Sequence, residues 1–250
     1  MPEDYRRFRY DVIDTAEASA WAAILEEQRL AIERSGQSNR PWMYWELHNP
    51  WSRSAAVVDS WALLDICQSA ALLGLLAGRI GEDIVLFDSQ IMPIPALGQP
   101  DVPGWTSDTD FFPLEGATGD QGIVVRIPFG SPHAHSIEHV GHPSARVEYG
   151  PGQLLLHSTD FEYRRREDRP VNQWEYVIRY YSATRHYDRD PAHAKQFRLM
   201  ERYPWVNYSK MPHWLVSGKD RADNDFVTGF LTKPGHWSAA NLAMPSAADD

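Results

Sequence analysis

The sequence holds one cysteine in 250 residues, so no disulfide can form within the chain. Cys67 lies in an apolar helical run, where a thiol serves as a small hydrophobe, and no neighbouring base marks it as a nucleophile. Positive charge is also scarce: 24 Lys and Arg stand against 34 Asp and Glu, giving a net charge of -10. That is the wrong sign for a surface that tracks phosphates, so nucleic acid is not expected as a partner. No uncharged run reaches the roughly 18 residues of a membrane span, and Met1 to Tyr10 lacks the apolar stretch of a signal peptide. A cytoplasmic location without a membrane partner is the expectation. Internal repeats, phosphate-binding loops and low-complexity tracts are missing as well.

What is present suits a globular chain, with 43% hydrophobic and 23% charged residues. Asp14 followed by Glu17 has the form of a helix-capping box, and Trp21, Ile24, Leu25 and Ile32 recur at helical spacing until Gly36, which predicts a helix over about 15–35. A second helical stretch runs from Ser54 to Gly81 as one broken helix or two. Between them Pro41 to Trp51 is crowded with rings, either lining a pocket or stapling the helices to a sheet. From Gly81 onward the pattern shortens to strand-like runs at 83–87, 89–94, 122–127, 145–149, 153–157 and 173–184, punctuated by Pro and Gly. Helices first and strands after predict an α+β, mainly β protein, with helices packed on an all-β barrel or sandwich. One domain over 1–250 is expected, comprising a helical front end at about 10–80, a barrel at 83–187 and a C-terminal extension at 188–250 that wraps it.

The segment Asp88-Ser89-Gln90-Ile91-Met92, then Gly98-Gln99-Pro100 leading to Gly104-Trp105-Thr106-Ser107-Asp108 and Phe111-Phe112-Pro113, resembles the phytanoyl-CoA dioxygenase family. Gly152-Gln153-Leu154-Leu155-Leu156-His157 resembles a later strand of that family, and the similarity spans about residues 10–190. The resemblance implies a double-stranded β-helix (jelly-roll, cupin-like) and an Fe(II) site of two histidines and one carboxylate, with positions left for 2-oxoglutarate and oxygen. The chain departs from that pattern at both imidazoles. Thr106 stands at the first histidine position, Asp108 keeps the carboxylate, and Tyr163 falls near the second histidine. Gln173 or Trp174 falls where the family's 2-oxoglutarate-anchoring arginine is expected.

These departures predict a protein with no metal cofactor that acts on a small organic molecule by proton transfer: isomerisation, cyclisation or elimination. Asp108, with a raised pKa, is the expected acid or base and Tyr163 the oxyanion donor. Trp105, Thr106, Phe111, His157, Trp174, Arg126 and Arg179 are the expected substrate-binding residues, although strand alternation leaves both arginines facing either inward or outward. One alternative is an oxygenase that keeps Fe(II) and 2-oxoglutarate on displaced ligands, with Asp108, Asp110 and His157 as the candidate set. The other is a non-catalytic ligand-binding protein. His133, His135, His139 and His142 are read as a solvated loop, and Arg164 to Arg166 as a solvated charged face.

Overall fold

The computed structural model describes residues 9–94, 106–112, 114, 122–139, 146–165 and 173–226. Its frame is a six-stranded antiparallel sheet. In spatial order its strands are β1 (Tyr10–Asp14), β6 (Gln153–Ser158), β3 (Gly122–Phe129), β8 (Gln173–Ser182), β2 (Ile84–Ile94) and β9 (Trp214–Ser217). A three-stranded sheet, β5 (Arg146–Tyr149), β4 (His135–His139) and β7 (Tyr163–Arg165), is also antiparallel. Beta-branched and aromatic residues fill the central strands, and β3 and β8 are buried almost throughout because both of their faces are covered.

One face of the large sheet carries the helices. α1 (Glu17–Arg34) buries Ala18, Trp21, Leu25, Gln28 and Ile32, a stripe spaced three and four apart, against that face. α2 (Ser60–Cys67) starts on Asp59, whose carboxylate accepts from the Trp61 and Ala62 amides. α3 (Ala70–Ile80) starts on Ser69, and both helices pack into the same cluster as Ile123, Val125, Ile127, Leu156, Tyr176, Ile178 and Tyr180. No single helix among the described residues is long and apolar enough to cross a membrane; α2 and α3 meet that test only as a pair bent by 45°.

Several local expectations are corrected. Asp14 ends β1 and accepts from Gln153 instead of capping α1, whose first turn is held by a Thr15–Glu17 hydrogen bond. The two runs at 83–87 and 89–94 are one strand, β2, whose register slips between Leu86 and Asp88. That irregularity sets Phe87 and Asp88 on the side away from the helices, with Asp88 opposite Arg179. His135 to His139 form β4 and not a solvated loop: His135 and His139 are buried, while His133 is exposed and His142 lies outside the described residues. Of the arginine run, Arg164 is exposed and pairs with Glu138.

The ring-rich stretch 41–51 staples elements together. Tyr44 stacks on Trp174 at 5.9 Å and Trp51 on Trp214 at 5.7 Å. Beyond β8 the chain forms α4 (Ala194–Arg202) and returns to the sheet as β9. This return segment supplies Leu199, Tyr203, Val206, Tyr208 and Met211 to an aromatic cluster with Val85, Phe87, Phe111, Phe112 and Tyr181.

Candidate functional site

Alternation along the strands decides where each charge goes. On β8 Trp174, Tyr176, Ile178 and Tyr180 meet the helices, so Glu175 and Arg179 face the opposite way, as does Arg126 between Val125 and Ile127 on β3. Both arginines therefore lie in the interior, 0% and 2% exposed, where a charge requires a partner. The same alternation corrects the placement of Trp174. Its ring lies among Tyr44 and the Arg29 guanidinium on the helix side, away from Asp108.

Thr106 and Tyr163 are brought together as an antiparallel bridge, each amide donating to the other's carbonyl at 2.8 Å. Asp108 follows two residues on, anchored by its amide to the Thr159 carbonyl at 3.0 Å. The three positions at which the family resemblance expects metal ligands are therefore neighbours. Trp105 lies outside the described residues, as does the side chain of Asp110, whose backbone belongs to the short turn Thr109–Phe111.

Two guanidinium groups occupy Asp108. Arg179 donates to its Oδ1 through Nε at 2.9 Å and Nη2 at 2.7 Å, and Arg126 reaches Oδ2 at 3.4 Å. Arg179 extends its Nη1 to Asp88 Oδ2 at 2.9 Å and lies 3.7 Å above the Phe111 ring centre. Gln90 turns its side-chain oxygen to the same guanidinium at 2.6 and 2.8 Å. Arg126 donates to His157 Nε2 at 2.9 Å, Tyr163 Oη at 2.5 Å and Glu175 Oε2 at 3.1 Å. Glu175 also accepts from the Tyr149 hydroxyl and from His135 Nδ1, the latter at 3.2 Å. The chain of contacts ties the two sheets together through buried, charge-assisted bonds.

The charge states follow from these partners. Burial alone would raise the Asp108 pKa, but the charges of Arg179 and Arg126 outweigh it and hold the carboxyl well below the usual range. The expected raised pKa, and with it a poised base at Asp108, is corrected. Burial and then the Arg126 charge push His157 down to about 3. Its Nδ1–H donates to the Ser158 carbonyl at 2.9 Å while Nε2 accepts from Arg126, so the ring is neutral with both nitrogens in use. Asp88 is raised to about 6 because burial exceeds the pull of Arg179.

This donor set does not fit Fe(II) held by two imidazoles and a carboxylate. Thr106 and Tyr163 replace the imidazoles, the Asp108 oxygens already bind fixed cations, and His157 has no free nitrogen. Among the described residues no three His, Cys, Asp or Glu side chains gather as a metal would require. The alternative set of Asp108, Asp110 and His157 meets the same obstacle at Asp108 and His157.

Glu175, Asp88, Gln90, Tyr149 and His135 belong to this network and were not among the expected site residues. A legible signal existed for two of them: Asp88 and Glu175 are charges inside otherwise apolar strand runs, and Glu175 shares strand parity with Arg179.

A mixed α/β protein of mostly antiparallel sheets, with helices on one face and a polar interior between sheets, is the class that these features define. Solved structures place that class further: the chain is similar to CytC3 with Fe(II) and alpha-ketoglutarate, at a TM-score of 0.58 and 14% identity over 91% of this chain and 93% of that one. It is also similar to the nickel complex of the non-heme monooxygenase ThoJ, at a TM-score of 0.55 and 16% identity over 88% of this chain and 84% of that one. At such identities the likeness is one of fold. No protein-family model matches the chain, and no curated protein matches it by sequence.

Proposed function

We propose that the two sheets are the halves of a double-stranded β-helix of the phytanoyl-CoA dioxygenase type, and that the protein binds a small molecule without iron, 2-oxoglutarate or oxidative turnover. One observation carries the reading: both oxygens of Asp108, the one carboxylate left at the family's metal position, are held by Arg179 and Arg126. A divalent cation would have to displace two buried guanidinium groups, each of which would then lose one of its two carboxylate partners. A carboxylate cosubstrate would in turn meet Glu175 and Asp88, both already bound to these arginines. The expected proton-transfer role of Asp108 and Tyr163 has less support, since Asp108 is held as a saturated anion and Tyr163 Oη, which accepts from Arg126, gives its own hydrogen to Asp108 Oδ2 at 3.4 Å.

The test is anaerobic calorimetric titration of the protein with Fe(II), with and without 2-oxoglutarate, alongside a succinate-release assay. No saturable binding and no succinate are expected. Stoichiometric Fe(II) binding that tightens with 2-oxoglutarate would overturn the proposal and restore the oxygenase.

A second reading, metal-free acid–base catalysis, draws support from a different residue. His135 gives its Nδ1–H to Glu175, which orients the ring, and its Nε2 is buried without a partner among the described residues. If the protein turns over a protic substrate, His135→Gln abolishes the reaction while Asp108→Asn lowers it only through stability. Equal loss of activity per unit of folded protein in both variants would remove this reading.

A further inference from the structure

Hydrogen bonding between the two sheets spends its donors and leaves acceptors over. Each nitrogen of the Arg126 and Arg179 guanidinium groups donates to a partner: His157, Glu175, Asp108 and Tyr163 for the first, Asp108, Asp88 and Gln90 for the second. The hydroxyl hydrogens are used as well, since Tyr149 donates to Glu175 Oε1 and Tyr163 to Asp108 Oδ2 at 3.4 Å. His157 gives its one N–H to the Ser158 carbonyl.

The atoms left over have the opposite character. His135 Nε2, Asp88 Oδ1 and Thr159 Oγ1, the last beside the anchor of the Asp108 amide, are buried without a partner among the described residues. A carboxylate oxygen only accepts, and a hydroxyl serves either way. For His135 the tautomer decides. Glu175 Oε1 is an acceptor, so His135 Nδ1, 3.2 Å away, carries the hydrogen. Glu175 already holds Arg126 at its other oxygen and the Tyr149 hydroxyl at this one, so its charge needs no imidazolium. The neutral ring therefore presents Nε2 as a lone pair, in a side chain only 1% exposed, which costs free energy unless a ligand supplies the hydrogen.

Charge points the same way. Among the described residues three carboxylates of the network, Asp88, Asp108 and Glu175, face two guanidinium groups. A further anion would enter an interior already in excess of negative charge, where every guanidinium nitrogen has its acceptor. Position favours His135 over Asp88 as the point of contact. Pro132, His133 and Ala134 are exposed, and His135 is the first buried residue behind them. Its ring stands 5.6 Å from that of Tyr149, which belongs to an apolar cluster with Ile137, Val147, Leu155, Phe161 and Tyr163. An acceptor beside an apolar wall suits a cationic head on an apolar body.

We propose that the ligand of this interior is a small organic amine, bound as its ammonium ion, which donates to His135 Nε2 and lays its apolar body against the cluster around Tyr149. Resting on the metal-free binding proposed above, such a site takes amines and turns away carboxylates.

Calorimetric titration of the full chain at pH 7 with benzylamine, benzyl alcohol and benzoate tests this, since the three share one ring and differ in the head group. Saturable binding is expected for benzylamine, with the alcohol weaker and benzoate weaker by about tenfold or more, the ratio that one charge-assisted hydrogen bond supports. His135→Phe keeps a ring beside Tyr149, removes the lone pair and is expected to lower the benzylamine affinity by a similar factor. The wild type supplies a readout that needs no variant to fold: in nitrogen-15 NMR of the imidazoles, His135 Nε2 is expected as an unprotonated nitrogen whose signal shifts when benzylamine is added. Benzoate binding as tightly as benzylamine, no binding of benzylamine, or a protonated Nε2 in the free protein overturns the amine and leaves the metal-free reading standing. Fe(II)-dependent binding of 2-oxoglutarate removes both.

Discussion

The two faces of the six-stranded sheet differ in what they bury: one is apolar, while the other sets a network of charges beside its aromatic rings. On the helix face, Leu25, Leu63, Leu76, Ile123, Val125, Leu156 and Ile178 pack as an apolar core, each stabilising by roughly 1.5–3 kcal/mol through burial. On the interior face, Arg126 and Arg179 with Asp88, Asp108 and Glu175 form a core of paired charges. An apolar core tolerates the loss of a group in proportion to the cavity left behind. A buried ionic core does not, because removing one member strands its partner without water, whereas removing the whole set is often neutral or favourable. The charged network on the interior face thus contributes geometric definition between the sheets more than net free energy.

The largest expected effect is on that face. Asp108→Ala breaks the charge-assisted bonds of both guanidiniums to this carboxylate, leaving Arg179 only Asp88 and Arg126 only Glu175 as charge partners, and is expected to cost about 3–5 kcal/mol or to prevent folding, read as the urea midpoint of unfolding. A loss below about 1 kcal/mol would mean that water or another group replaces the carboxylate, and the contrast between the faces would collapse. Leu156→Ala on the helix face is expected to cost about 2–5 kcal/mol, with little dependence on pH. The five-site change Asp88→Leu, Asp108→Leu, Glu175→Met, Arg126→Met, Arg179→Met sharpens the comparison, since it removes every charge of the network and strands none. It is expected to cost less than Asp108→Ala alone despite removing five charges, because the desolvation cost leaves with the charges. A loss larger than that of Asp108→Ala alone would show the network to be strongly stabilising in its own right.

Much of the helix face was legible in the sequence and little of the interior was. The stripe of Trp21, Leu25 and Ile32 announces α1 because helical periodicity is a local signal, and Gly36 and Gly81 mark ends where φ is 70° and 87°. The pairing of Thr106 with Tyr163 was foreshadowed by family resemblance, not by periodicity. Short strands such as Tyr163–Arg165 and His135–His139 carry too few residues for alternation to show, and their burial is set by partners remote in sequence. The inward turn of Arg126 and Arg179 escaped for a related reason. Parity along a strand separates two faces but does not say which one is dry, and in β8 both faces are buried. Trp174 was misplaced by that ambiguity, and the low pKa of Asp108 was out of reach until the arginines had been located.

The smallest expected effect separates the faces by pH instead of by depth. His157 is held at about 3 in the folded protein, below its unfolded value near 6.5, because burial and Arg126 oppose its protonation. Below pH 6.5 the unfolded chain binds a proton at this residue that the folded chain refuses, so stability falls as pH drops from about 6.5 towards 3, by up to about 1.4 kcal/mol per unit. His157→Gln removes that contribution while leaving an acceptor for Arg126. Its stability is therefore expected to decline less steeply between pH 6.5 and 4.5 than that of the wild type, by about 1.4 kcal/mol per unit in urea titrations at each pH. Leu156→Ala removes no titratable group, so it is expected to follow the wild-type slope at a lower level. If His157→Gln and the wild type share one slope, the ring is protonated in the folded state, and Arg126 cannot then be donating to its Nε2.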